Sequence, residues 1–250
     1  FSIVTWDGND DSGGASPQTV YHGLGVKPEF MILKSRTHYA GDDGEGFSDL
    51  WFARHKDLTS DLWWIDLNDS GSQIEWGYIS DGEGGYDSGE YPALSGIDAS
   101  SFDVSNNFSD GYTLNYDDSI AGNMASNTDS YVAYCFAGVE GYSKFGVYEG
   151  NGNLNGTFVY TGFKPAMVII TSRDNDDRWV ITDNKRDTYN PIKGELNPNA
   201  DTSEDTSSTP FDFLANGFKL RRTGNVFNTS GYDYIYAAFA ESPFKYNSGA

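Results

Sequence analysis

The second half of this chain repeats the first, landmark by landmark. "WDGN" at residues 6–9 is answered by "YEGN" at 148–151. "YHGLGVKPEFMILKSR" at 21–36 is answered by "YTGFKPAMVIITSR" at 160–173, with two residues more in the first copy. "WFARHK" at 51–56 meets "WVITDNK" at 179–185, "DGYTLNY" at 110–116 meets "NGFKLRR" at 216–222, and "YVAYCFA" at 131–137 meets "YIYAAFA" at 234–240. The order never changes, so the expectation is two tandem copies of one unit, near residues 1–140 and 141–250. They either share one core or fold separately. The second copy is shorter, and most of the difference falls in an acidic and aromatic insertion near residues 57–101.

The repeated segments read as strands. "FMILKS" and "MVIITS" are short apolar runs, each placed after a Pro that can open a strand but not sit within one. "YVAYCFA" and "YIYAAFA" are aromatic and β-branched, and too short for an ordinary helix. No amphipathic helix of three turns is visible, and a period of two dominates. The fold class expected is all-β and β-sandwich-like, built from two tandem copies of a similar antiparallel β unit. Gly111 and Gly217 recur at matching turn pairs and are expected to hold positive φ. "GNGNLNG" at 150–156 is expected to be a hairpin turn. Trp51, Trp179, Tyr131 and Tyr234 recur in both copies, which assigns them to the shared scaffold.

Charge excludes several functions. Lys and Arg number 16 against 37 Asp and Glu, a net charge of −21. Nucleic acid and anionic membrane surfaces would be repelled. No apolar run approaches the roughly 20 residues that span a bilayer, and none reads as a signal peptide. The first residue is Phe, so the chain is expected to be processed or trimmed from a longer one. The single cysteine, Cys135, permits no internal disulfide and reads as a small buried hydrophobe. N-x-S/T sequons at Asn68, Asn107, Asn155 and Asn228 are near chance in so polar a sequence.

Chemistry-bearing patterns are sparse. Acidic Gly-rich loops can hold a hard cation, and Ca²⁺ is the ion they suit. Asp42, Asp43 and Glu45 in one copy and Asp174, Asp176 and Asp177 in the other occupy similar places, and are the calcium candidates; otherwise no cofactor is expected. His22, His38 and His55 lack close metal-ligand spacing, and the repeat replaces His22 by Thr161 and His55 by Asp183. A glycosidase needs two facing carboxylates, for which Glu75 and Glu90 in the aromatic insertion are the least poor pair. No nucleophile elbow or phosphate loop occurs, and the expectation is no catalytic residue. Sugar binding draws on exposed aromatic rings. The insertion offers Trp63, Trp64, Trp76, Tyr78, Tyr86 and Tyr91 as contact or glycan-binding candidates. Trp63 and Trp64 are adjacent, so on a strand they face opposite ways and at most one enters the core.

The segments "YHGLGVKPEFMILKSR", "YVAYCFAGVEGYSKFGVYEGNG", "FVYTGFKPAMVIITS", "WVITDNKRDTYNP", "NGFKLR" and "YIYAAFAESPFK" together resemble an uncharacterised C-terminal domain family of marine and environmental phage virion structural proteins, described as tail-fibre-like. The junction at 132–152 is the most specific part. The resemblance spans essentially the whole chain and brings no active site with it. It implies a non-enzymatic virion structural or appendage protein on the particle surface, assembling through β surfaces with loops displayed outward. Its partners would be copies of itself or other virion proteins. The alternative is a carbohydrate-binding adhesin or receptor-binding module that recognises a host surface glycan.

Overall fold

Alternation of buried and exposed side chains along short β-rich runs decides the architecture. The computed structural model describes residues 1–8, 18–36, 51–60, 63–67, 74–75, 78–80, 86–88, 94–104, 130–207, 210–224 and 226–242; at 66, 74–75, 78–80 and 86–88 it describes the backbone alone. Every regular element among them is a strand, and every ladder is antiparallel. No helix among the described residues is long and apolar enough to cross a membrane. The chain divides into two compact units. Unit 1 holds Phe1–Asp66 and Ile74–Phe136, and unit 2 holds Leu67–Gln73 and Ala137–Ala250.

Unit 1 has a six-stranded sheet. Its order is β1 (Ser2–Asp7), β11 (Ser130–Phe136), β3 (Phe30–Ser35), β4 (Trp51–His55), β5 (Trp63–Asp66) and β6 (Ile74–Glu75). A three-stranded sheet runs β2 (Gln18–Tyr21), β10 (Ser101–Val104), β9 (Leu94–Ser95), and β7 (Tyr78–Ser80) with β8 (Tyr86–Ser88) form a ribbon. Trp6, Met31, Leu33, Phe52, Trp64, Tyr131, Ala133 and Cys135 from the large sheet and Val20, Leu94, Phe102 and Val104 from the small one share one buried cluster. That is a sandwich-like arrangement, and each large apolar side chain so buried stabilises by about 1.5–3 kcal/mol.

Unit 2 has a four-stranded sheet in the order β12 (Ser143–Glu149), β18 (Asp233–Ala240), β14 (Pro165–Ser172), β15 (Val180–Asp183). Its three-stranded sheet runs β13 (Phe158–Tyr160), β17 (Gly217–Leu220), β16 (Phe211–Leu214). Tyr148, Val168, Ile170, Val180, Tyr234 and Tyr236 meet Val159, Phe211, Phe213, Phe218 and Leu220 in its core. In each unit the large sheet begins with the unit's first strand, then its last, and the small sheet is built on the second strand.

Three expectations change. The strand that occupies in unit 1 the place of β17 is β10, because β10 pairs with β2 as β17 pairs with β13; residues 110–116, including Gly111, lie outside the described residues. Gly217 is required for another reason than positive φ. It lies within β17, where a Cβ would collide with the Val159 carbonyl oxygen of the neighbouring strand. Residues 150–156 are not a hairpin turn. They carry the chain from β12 in one sheet to β13 in the other, and Gly150 has no room for a Cβ against the Thr229 carbonyl.

Candidate functional site

The edge strands β2 and β13 present the same residue outward. Each has one buried position, Val20 or Val159, flanked by exposed ones. Alternation then turns Tyr21 and Tyr160 to solvent, where they are 71% and 59% exposed. Tyr21 faces Ser101 across its ladder and Tyr160 faces Gly217. Phe158, two residues earlier on the same face as Tyr160, is also exposed. Lys144 on β12 donates from Nζ to the Tyr160 carbonyl at 2.8 Å and sets its ammonium 5.1 Å from the centre of the Tyr160 ring. Two register-matched, solvent-facing tyrosines are the strongest contact features among the described residues, since burial does not account for keeping them.

Trp64 is buried in the core of unit 1, edge-on to Phe52 at 4.7 Å, and Trp63 on the opposite face of β5 is half-buried. Only Trp63 of that pair is accessible to a ligand. Tyr78 and Tyr86 lie on the β7–β8 ribbon, opposite Ser88 and Ser80, with their side chains outside the described residues. Trp76, Tyr91 and Glu90 are also outside them, as are His38, Asp42, Asp43 and Glu45. Glu75 sits on β6 opposite Trp63.

The second acidic loop is described. Asp174 accepts the Asp233 backbone N–H at 2.7 Å and lies 3.6 Å from Arg173, whose guanidinium also pairs with Asp233. Asp177 accepts the Arg178 N–H at 2.9 Å, and Asp176 is exposed. Among the described residues no group of three His, Cys, Asp or Glu side chains is placed to hold a metal ion. Of the sequons, Asn228 is fully buried, and its side chain is bonded to Asn151, Asn153 and Arg222 backbone groups; Asn155 is exposed.

His22 and His55 each accept a backbone N–H in a turn. His22 Nδ1 accepts the Leu24 N–H at 3.1 Å, and Thr161 Oγ1 accepts the Phe163 N–H at 3.4 Å in the matching turn. His55 Nδ1 accepts the Asp57 N–H at 3.1 Å, and Asp183 Oδ1 accepts the Lys185 N–H at 2.8 Å. In each case a side chain accepts from the backbone two residues on, and the residue type is free to change while the acceptor stays.

One cluster had no local sequence signal. Glu195 is fully buried, with Arg178 and Arg222 each 3.6 Å from its carboxylate. It exchanges backbone hydrogen bonds with Asp205, whose carboxyl is held below the usual range first by the Ser207 hydroxyl and N–H. The cluster joins residues up to 44 positions apart, from Arg178 to Arg222, so spacing could not reveal it. Arg54 of unit 1 is likewise buried and donates to the Pro28 carbonyl at 3.1 Å; burial pulls its guanidinium down to about 10 against the opposing field of Asp57.

Residues 90–243, more than half of the chain, match the model of a family described as a domain of unknown function (DUF7483), and the chain belongs to that family. No curated protein and no solved structure matches it.

Proposed function

We propose that this chain is a non-enzymatic structural or appendage protein of a phage particle, built from two copies of one antiparallel β unit. The copies are those read from the sequence near 1–140 and 141–250. It assembles through its β surfaces and displays its loops outward at the particle surface. The observation that carries the reading is the matched pair of edge tyrosines. Tyr21 and Tyr160 hold the same register on the same edge of both units, and both rings face solvent. A scaffold needs buried repeats; a repeated exposed ring is explained by contact with a partner. The net charge of −21 suits a protein held in solution at high copy number.

Particle composition tests this. Peptides of the chain should co-purify with intact phage particles in stoichiometric amount, and antiserum to the folded protein should decorate the particle exterior. Particles free of the chain would overturn the reading.

The second reading is a carbohydrate-binding module, supported by the half-buried Trp63 and by Tyr21 and Tyr160. Glycan-array binding lost on Trp63→Ala, with circular dichroism unchanged, would favour it. Calcium at the acidic loops belongs to the same proposal. Calorimetric titration with Ca²⁺ decides it, and an absence of heat removes the ion from the account.

A further inference from the structure

The two small sheets differ in what their outer faces carry. In unit 2 the outward residues of β13 are Phe158 and Tyr160, and across the ladder on β17 stand Lys219 and Gly217. In unit 1 the matched residues are Thr19 and Tyr21 on β2, with Asp103 and Ser101 across from them on β10. Thr19 donates its hydroxyl to the Asp103 carboxylate at 2.7 Å. At one register position, then, a hydroxyl and a carboxylate in the first copy become an aromatic ring and a lysine in the second. A further lysine stands beside the next ring. Lys144 of β12 faces Ala238 where Ser2 of β1 faces Cys135, and its ammonium lies 5.1 Å from the centre of the Tyr160 ring.

The two rings form a shelf. Phe158 reaches diagonally across the ladder to Gly217, where a Cβ would lie 3.1 Å from its Cζ. A ring resting over a glycine turns its other face to solvent, and both Phe158 and Tyr160 are exposed. Residues two apart on a strand lie about 7 Å apart, a span longer than one sugar ring. Both lysines are held along this shelf. Lys144 donates to the Tyr160 carbonyl at 2.8 Å and Lys219 to the Gly156 carbonyl at 3.1 Å. An ammonium has three donors, so one fixed by a carbonyl can still donate to an anion. Asp212, across from Lys219 on β16, is bound by the Arg221 guanidinium, which offsets its charge.

We propose that the outer face of the β13–β17 ladder binds a sulfated sugar, whose ring stacks on Phe158 or Tyr160 and whose sulfate ester meets the lysine beside that ring. The inference deepens the carbohydrate-binding reading and rests on it. Three observations select the ligand. Rings laid along a sheet with one face to solvent suit the C–H face of a pyranose. Charge selects an anionic one, because a chain of net −21 places two lysines here where its other copy has Ser2 and Asp103. Side-chain type selects sulfate. An arginine fork matches a planar carboxylate, whereas an ammonium is a point charge with no preferred plane and serves a non-planar sulfate ester. The rest of the surface repels a long polyanion, so the sulfate belongs to a short or sparsely substituted glycan.

Titrations of the full chain with sulfated lactose, lactose and sialyl-lactose, followed by NMR, test the face. The first carries a sulfate ester and the last a carboxylate on the same disaccharide. At about 0.15 M salt the screening length is about 8 Å, which damps the carboxylates beyond the face. Sulfated lactose should bind roughly tenfold or more tighter than either of the others. Lys144→Gln combined with Lys219→Gln should bring it to the level of lactose. Phe158→Ala and Tyr160→Ala should each weaken it several-fold, and together abolish it. Tyr21→Ala, at the matched ring of unit 1, should change nothing. Circular dichroism confirms that each variant is folded. Equal affinity for lactose, or a preference for sialyl-lactose, overturns the ligand class. Binding of sulfated lactose that survives either double variant overturns the site. A polyglutamate peptide bound through the two lysines, with the sugars unbound, assigns the face to an acidic protein partner and overturns the proposal. Glycan-array binding that is lost on Trp63→Ala but indifferent to Phe158→Ala and Tyr160→Ala sinks this face alone, whereas an array blank for every sugar removes the carbohydrate reading itself.

Discussion

The Tyr148 ring stacks on Tyr234 across the β12–β18 ladder, centroids 5.3 Å apart and planes 19° apart. Unit 1 builds the same pair from Trp6 and Tyr131, at 5.4 Å and 20°. A third ring closes each pair edge-on, Phe218 against Tyr148 and Phe102 against Trp6. The large sheet thus supplies the stacked pair in each unit, and the small sheet supplies the ring set nearly perpendicular to it.

Tyr148 also donates its hydroxyl to the Phe227 carbonyl at 2.8 Å. Tyr148→Phe keeps the stack but strips that carbonyl of its donor, and should cost about 1–3 kcal/mol in denaturant unfolding. Burial, with the neighbouring Tyr234 adding, pushes the Tyr148 phenol well above its ordinary 10.0. The fold therefore favours the protonated form. Its contribution is fully present below pH 10 and is lost as pH rises through the folded-state value. Stability curves of wild type and Tyr148→Phe should converge in strong alkali; parallel curves would refute this.

Glu195→Gln leaves Arg178 and Arg222 facing each other across a neutral amide. Removing one member of a buried ion pair costs about 3–5 kcal/mol. Both arginines are about one-third exposed, so solvent reduces this to roughly 1–3 kcal/mol. Unfolding midpoints of the variant, alone and combined with Arg178→Gln, check it: the double variant should recover part of the loss.

His55 serves as the acceptor of the Asp57 N–H. His55→Asn retains an oxygen for the Asp57 N–H and should stay close to wild type. His55→Leu fills the space but orphans that N–H, and should lose about 1–3 kcal/mol. Equal stability of the two variants would remove the capping role.

Cys135 is buried in unit 1, and burial pushes its thiol up to about 11. A maleimide at pH 8 should label it only as fast as unit 1 opens, with the rate rising in denaturant. The thiol form is favoured by the fold, so this group contributes below its ordinary 9.0 and loses that contribution as pH rises towards 11. Rapid labelling of the native protein would contradict the burial.

The strands legible in the sequence were those with long apolar runs. β3, β14, β11 and β18 need no partner to be recognised, because each carries its own alternation and boundary signals. β10 is not legible, since four residues of "SFDV" carry too little pattern and the turn pair at 110–111 resembles that at 216–217. The need for Gly217 is legible but its cause is not: φ is a local property, whereas the Val159 carbonyl comes from a strand 58 residues away. Trp63 and Trp64 were separable because adjacency on a strand dictates opposite faces. Glu195, Lys144 and the two histidine caps were not legible as sites. Each gains its meaning from a partner brought by pairing.

The hydrogen-bonded neighbours β1 and β11 are the first and last strands of unit 1, as β12 and β18 are of unit 2. During synthesis β1 therefore leaves the ribosome and waits without its partner until residues 130–136 have been translated. At ordinary elongation rates that interval is on the order of ten seconds. An exposed aromatic strand must stay unpaired for that time, and the acidic character of the chain opposes its premature pairing with β1 of a neighbouring nascent copy.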